Sequence, residues 1–289
     1  MENTDRVFWQ AVMRQNTVIP PLRRLGLKQY IRVLMYGEAV QMGAAIGAIG
    51  RPYVEYFSDP FIIGLEDDNA NLMYRILHRM ESEGLPLEYY VFNTGGVGAD
   101  TNDEASGKLY RKIPRELTLM LQEALLREAV KFEYDEYLGS DVAVAIVNQS
   151  GAEVTDLRHD WLAKNIYGEA EYSRRMIEIG RRRYYSRDAE DKAGILRYTK
   201  VSDEVMDLPD IPAPANEREL AWLMSFYWNV DQAYNNLGDL VRHRHEGKRP
   251  EDRTLAELQS MYQSGVSQGL ELSADARRAL PDVGLRGIA

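Results

Sequence analysis

The sequence predicts an α/β or α+β fold: a mixed sheet with flanking helices, then a proline-rich connector and a helical extension. Three observations carry this. Tyr89-Tyr90-Val91-Phe92 and Val142-Ala143-Val144-Ala145-Ile146-Val147 are short apolar runs, the mark of strands buried on both faces. Segments with apolar residues every three or four positions alternate with them, which is the helical period. Finally, Pro209, Pro212 and Pro214 stiffen the stretch 208–215, and beyond it the pattern is helical alone. The expected organisation is one lobe over 1–207, a connector over 208–215 and a helical extension over 216–289.

From Phe8 to Met42 the pattern reads as helical with interruptions. Pro20-Pro21 breaks the first segment, and Leu27, Ile31 and Leu34 mark a helix within 22–36. The small-residue run Gly43 to Gly50 fits a tight helix contact or a loop. Arg51 to Phe57 reads as a strand ended by Ser58-Asp59-Pro60. Asp67, Asp68 and Asn69 open a helix whose apolar positions are Leu72, Ile76, Leu77 and Met80, and Gly84 and Pro86 stop it. The Tyr89–Asn93 strand follows. Pro114 suits a first helical turn, and Leu117, Leu121, Ala124 and Leu125 form the stripe of the next helix. The Val142–Val147 strand comes next, then a helix from about Asp160 to Tyr185. In the extension, Asn216 with Glu219 resembles a capping box. Leu220, Leu223, Tyr227, Val230, Tyr234, Leu237 and Val241 then step by three and four. That spacing fits a homo-oligomer seam over 216–241 or packing of the helix on its own domain.

Composition excludes several function classes. The chain has 289 residues and no cysteine, so disulfides, a thiolate nucleophile and a cysteine-ligated metal are ruled out. A net charge of −10 opposes general binding to nucleic acid. The start Met1-Glu2-Asn3-Thr4-Asp5 lacks the features of a signal peptide, and Ala39 to Gly50 is too short and polar to span a bilayer. A cytoplasmic location without membrane contact is expected.

The chemistry-bearing feature is the strand end Asn93-Thr94-Gly95-Gly96-Val97-Gly98. Glycines there leave backbone N–H groups open to an approaching anion, the geometry of a phosphate or carboxylate nest. The same cluster also fits a tight turn without a ligand. Gly107-Lys108 adds a cation nearby, yet this is no P-loop, since Asn102 stands where that motif needs glycine.

Residues Leu87 to Arg115 resemble the C-terminal lobe of ATP-dependent phosphoenolpyruvate carboxykinases. There a strand ends in Asn-Thr-Gly-Trp and leads through a glycine-rich loop and Gly-Lys-Arg into a helix. Asn93, Thr94, Gly95, Gly98, Gly107 and Lys108 fit that pattern. The flanks follow in order: Pro20-Pro21-Leu22, Tyr36-Gly37-Glu38-Ala39, Arg51-Pro52-Tyr53, Asp59-Pro60-Phe61, and Trp161, Lys164 and Tyr167. The resemblance covers about Thr17 to Tyr185. It implies a nucleotide site, for ATP or a related nucleotide, formed by Asn93, Thr94, Gly95, Gly96, Gly98, Gly107, Lys108 and Arg111. Lys108 would offset phosphate charge and Arg111 would approach the base. The family decarboxylates and phosphorylates oxaloacetate.

This sequence departs from the family in two ways. Gly96 replaces the tryptophan, and Ala99 to Ser106 lengthen the loop. The family's phosphate-binding loop, metal ligands and oxaloacetate-binding residues belong to a preceding half that these 289 residues do not include. The implied activity therefore needs a separate chain carrying the P-loop half, which would also supply ligands for Mg²⁺ or Mn²⁺. The alternative is a catalytically inactive nucleotide-binding or assembly module that acts through its helical tail.

Other clusters have plainer readings. Asp67-Asp68 could hold Mg²⁺ but also serve as a helix start. His243 and His245 point to different faces of a helix and suit an exposed helix end. Arg174, Arg175, Arg181, Arg182, Arg183 and Arg187 form a solvated face paired with Glu171 and Glu178, or else grip a polyanion.

Overall fold

The structure is a computed structural model. It describes residues 6–40, 52–57, 62–100, 106–185, 194–198, 200–202, 204–206 and Glu219. Several sequence expectations lie outside these residues: the Gly43–Gly50 run, the connector 208–215, the 220–241 seam, Arg187 and the two histidines near 244.

The fold is α+β, built on a mixed six-stranded sheet with flanking helices. The strands are β1 (Val7–Met13), β5 (Leu87–Asn93), β2 (Leu22–Leu25), β9 (Ser140–Val147), β10 (Glu153–Asp156) and β8 (Val130–Asp135). β1 lies parallel to β5, and all other pairings are antiparallel. β8 runs along one edge of β9, so β2 (at Val142 and Asp141) and β10 (at Val147 to Ala145) share the other edge end to end. Two small ribbons complete the strands: β3 (Gly37–Val40) with β4 (Pro52–Glu55), and β6 (Gly96–Val97) with β7 (Arg111–Lys112).

The Tyr89–Phe92 run of β5 is apolar because both its faces are covered. Tyr90 and Phe92 point to the core cluster under helix α3 (Arg115–Leu126), with Leu22, Leu117, Leu121, Leu125 and Ala143. Tyr89 points the other way and meets Tyr30 of helix α1 (Leu27–Met35) at 5.2 Å between ring centroids. The expected apolar positions of α1 and α3 are all buried. Complete burial of each such side chain contributes roughly 1.5–3 kcal/mol relative to exposure, so α3 is held mainly by its four-residue stripe.

Three expectations need correction. The stretch from Phe8 is not helical: Val7–Met13 forms β1 and Leu22–Leu25 forms β2. Its large residues alternate between faces, with Phe8 stacked on Tyr90 at 6.0 Å, and pairing with β5 satisfies its backbone. Helix α2 (Glu66–Ser82) exists as expected, but Leu72 and Ile76 are exposed while Ala70, Tyr74 and Leu77 are buried. The last helix is three: α4 (Arg158–Trp161), α5 (Ala163–Tyr167) and α6 (Glu169–Tyr185). Leu162 takes extended backbone between the first two, and Gly168 at φ 81° separates the last two.

The chain divides into two compact units, Met1–Pro60 with Leu72–Ile179, and Phe61–Asn71 with Gly180–Ala289. The first holds the sheet. In the second, the start of α2 receives the segment 197–202. Arg197 pairs with Glu66 at 3.2 Å, Asp67 accepts the Lys200 N–H at 2.7 Å, and Asn71 accepts that of Ser202 at 2.9 Å. Asp67 thus holds a neighbouring segment, and burial raises its pKa. No helix among the described residues is long and apolar enough to cross a membrane.

Candidate functional site

The glycine loop leaves the end of β5 at Asn93, which is fully buried. The Asn93 carboxamide uses its whole hydrogen-bonding capacity. Its Oδ1 accepts the N–H groups of Gln15 and Gly95, both at 3.0 Å; its Nδ2 donates to the carbonyls of Ile19 (2.7 Å) and Gly96 (3.2 Å). Gln15 is the counterpart on the segment leaving β1. Its Oε1 accepts three successive amides, those of Thr17 (2.9 Å), Val18 (2.9 Å) and Ile19 (3.0 Å). A nest of this kind can hold an anion, and here the chain's own carboxamide oxygen fills it.

The loop's own amides are spent in the same way. Thr94 donates to Met13 (3.0 Å), Gly96 to Gln15 (2.9 Å), Gly98 to Thr17 (2.9 Å), Ala99 to Asn16 (3.1 Å) and Asp100 to Ser106 (2.9 Å). Gly95 gives its N–H to Asn93, and its carbonyl accepts the Ile113 N–H at 2.9 Å. Residues Gly95 to Ala99 are buried. The glycines serve close approach by the chain itself: a β-carbon at Gly96 would strike the Tyr110 ring and lie 2.7 Å from the Arg111 carbonyl oxygen. Gly98, at φ 80°, faces the Leu109 backbone.

The loop's exit is clamped from the helices. The Ala99 carbonyl accepts both Tyr167 Oη (2.7 Å) and Arg175 Nη1 (2.8 Å), and the Arg175 guanidinium lies 4.2 Å from the centre of the Tyr167 ring. Burial pushes the Tyr167 hydroxyl up to about 12, so it stays a donor. Arg174 and Arg175 pair with Glu171 at 2.8 and 2.7 Å, as the paired-face reading expects, although Arg175 also reaches the loop.

The other nominated residues stand apart from this clasp. Lys108 is exposed, with no partner among the described residues. The Asp100 carboxylate presses on Gly107, where a β-carbon would collide with it. Arg111 is exposed and forms an ion pair with Asp160, whose carboxyl is held below its ordinary range by His159 and by Arg111. The fold thus brings Asn93, Thr94, Gly95, Gly96 and Gly98 together, with Gly107, Lys108 and Arg111 at the rim.

Sequence reasoning missed Gln15, Arg14 and Asn16. Arg14 Nε and Asn16 Oδ1 are buried with no hydrogen-bond partner, and Asn16 Oδ1 lies against Gly95, 2.7 Å from where a β-carbon would be. Buried polar groups normally have partners, so this donor and acceptor are the available polar capacity beside the loop. Nothing in a lone Arg-Gln-Asn run signals this; the signal appears once β1 is paired with β5.

A second concavity, of about 430 Å³, lies between the β8–β9 hairpin and the helices that follow. Several of its polar groups already have partners. Tyr172 Oη donates to Asp135 at 3.0 Å, Arg158 binds Glu133, Glu153 and Asp156, and Lys164 stands 5.9 Å from the Tyr137 ring centre. No cluster of three or more acidic or histidine side chains among the described residues is placed to hold a metal ion. A scan against protein-family models matches none, and a search of curated proteins finds no significant relative.

Proposed function

We propose that the chain is a catalytically silent lobe of the carboxykinase type, a binding or assembly module whose glycine loop fastens the fold. The observation that supports this reading is the fate of the loop amides. Thr94, Gly95, Gly96, Gly98, Ala99 and Asp100 each give their N–H to the chain, which leaves a triphosphate few donors. Asp100 against Gly107 adds a carboxylate beside Lys108, where a phosphate would be repelled.

Titration calorimetry with ATP and ADP, with and without Mg²⁺, tests the reading together with an oxaloacetate-dependent ATP-consumption assay. No turnover is expected, and turnover by the chain alone would overturn the proposal. The same reading keeps the chain in the cytoplasm, which fractionation of host cells would check.

A second reading is favoured by Lys108, exposed and without a partner among the described residues, and by the orphaned polar atoms of Arg14 and Asn16. In it the chain is the nucleotide-side half of an enzyme, completed by a P-loop segment or chain outside these residues. ATP binding that Lys108→Ala abolishes, with turnover on adding such a partner, would establish it.

A further inference from the structure

The concavity beside the β8–β9 hairpin lies wholly within the first compact unit. Its volume, about 430 Å³, falls in the range of small-molecule sites. The floor is apolar, with Val18, Val142 and Val144 all buried. One wall is the loop Glu136-Tyr137-Leu138-Gly139 that joins β8 to β9, and the other is α5 with Tyr172 of α6.

The loop wall is held by its own bonds. Asp135 closes it: its Oδ1 accepts the Leu138 N–H at 2.9 Å, and its Oδ2 accepts Tyr172 Oη at 3.0 Å, which ties α6 to the hairpin. Gln29 of α1 donates from Nε2 to the carbonyls of Leu138 (3.3 Å) and Gly139 (3.0 Å). Tyr137 and Tyr172 meet edge to face, with ring centres 5.3 Å apart. A wall fixed in advance loses little conformational entropy when a ligand docks on it.

Charge selects the occupant. Three carboxylates line the concavity, those of Glu133, Asp135 and Glu136, against two cations, Arg158 and Lys164. Both cations are already engaged. Arg158 is shared among Glu133 (2.6 Å), Glu153 (2.9 Å) and Asp156 (3.0 Å), and Lys164 pairs with Glu169 at 3.5 Å. Among the described residues Asp135 bonds only to neutral donors, and Glu136 has no partner. The site is therefore short of positive charge. Tyr137, 38% exposed, offers an aromatic ring beside this deficit, and aromatic faces attract cations. Lys164 Nζ lies 5.9 Å from the ring centre, at the outer limit of that attraction, so the ring retains capacity.

We infer that this concavity binds a small organic amine, its ammonium held by Asp135 and Glu136 against the Tyr137 ring and its apolar body over the valines. The site shares no lining residue with the glycine loop and does not depend on how that loop is read, so it stands apart from the proposed function. A lysine side chain of a partner protein carries the same chemistry, an ammonium on an apolar stem.

Nuclear magnetic resonance titration of the isotope-labelled full chain with phenethylamine tests this, with hydrocinnamate as the anion of similar shape. The amine is expected to shift hairpin and α5 amide resonances with a dissociation constant of about 1 mM, within the ligand efficiency of a molecule of about nine non-hydrogen atoms. The anion is expected to bind at least about tenfold more weakly. Glu136→Gln, at an exposed position, is expected to weaken the amine about threefold, and Asp135→Asn about tenfold. If Asp135→Asn fails to fold, Glu136→Gln and the anion still decide. Nα-acetyl-lysine amide separates the two sources: tighter binding than phenethylamine points to a partner's lysine, weaker binding to a free amine. No shift at ten times the expected constant would overturn the inference. So would equal binding of amine and anion, or an affinity that Glu136→Gln leaves unchanged.

Discussion

At the residue scale, Asn93 shows what the glycine motif is for. Its carboxamide holds four backbone groups from two segments, and all are buried. Asn93→Ala removes these partners together and leaves buried amides and carbonyls unpaired, at about 1–3 kcal/mol for each group not rescued by water. The expected loss is about 3–5 kcal/mol, read as a lower midpoint of chemical unfolding. Thr94→Val is the contrast. Thr94 is half-buried and loses only the 3.2 Å bond from its hydroxyl to the Met13 carbonyl, so the expected loss is under about 1 kcal/mol. Asn93 was legible as a strand end before glycines. Gln15 was not, because its role depends on a parallel pairing with a strand about 80 positions away, which no local pattern encodes.

At the element scale, the helices were legible where one stripe is clearly apolar, as in α1 and α3. The face was half right in α2: Leu77 is buried as expected, while Leu72 and Ile76 are exposed and tertiary packing selects Ala70 and Tyr74 instead. β1 was unreadable for a related reason: Phe8, Trp9 and Val12 fit a helix face as well as an alternating strand. α6 carries a prediction of its own. Hydrogen bonds from Arg174 and then Arg175 lower the Glu171 carboxyl from an ordinary 4.5 to about 2. A carboxyl depressed in the folded state stabilises it fully above its unfolded pKa, and that contribution fades as pH falls through the folded value. The part of the thermal midpoint due to Glu171 should therefore be constant above about pH 5 and disappear between about pH 4.5 and 2. Glu171→Gln should lower the midpoint at pH 6 and flatten its decline in that window. Parallel acid titrations of the two proteins by circular dichroism would show it; an identical slope would mean the ion pairs are screened into irrelevance.

For the whole molecule, the large sheet is held by pairings between segments far apart in the chain, β1 with β5 and β2 with β9. Arg23 shows how such a pairing is fixed, because its side chain is buried. Its Nε donates to Ser140 Oγ at 3.0 Å and its Nη2 to the Leu138 carbonyl at 3.2 Å, which ties β2 to the start of β9. A buried charge is tolerated only while such partners hold it. Ser140→Ala removes one acceptor and leaves the guanidinium in place, so the expected loss is about 1–3 kcal/mol, read as a lower midpoint of chemical unfolding. An unchanged midpoint would mean that other groups hold the guanidinium without Ser140.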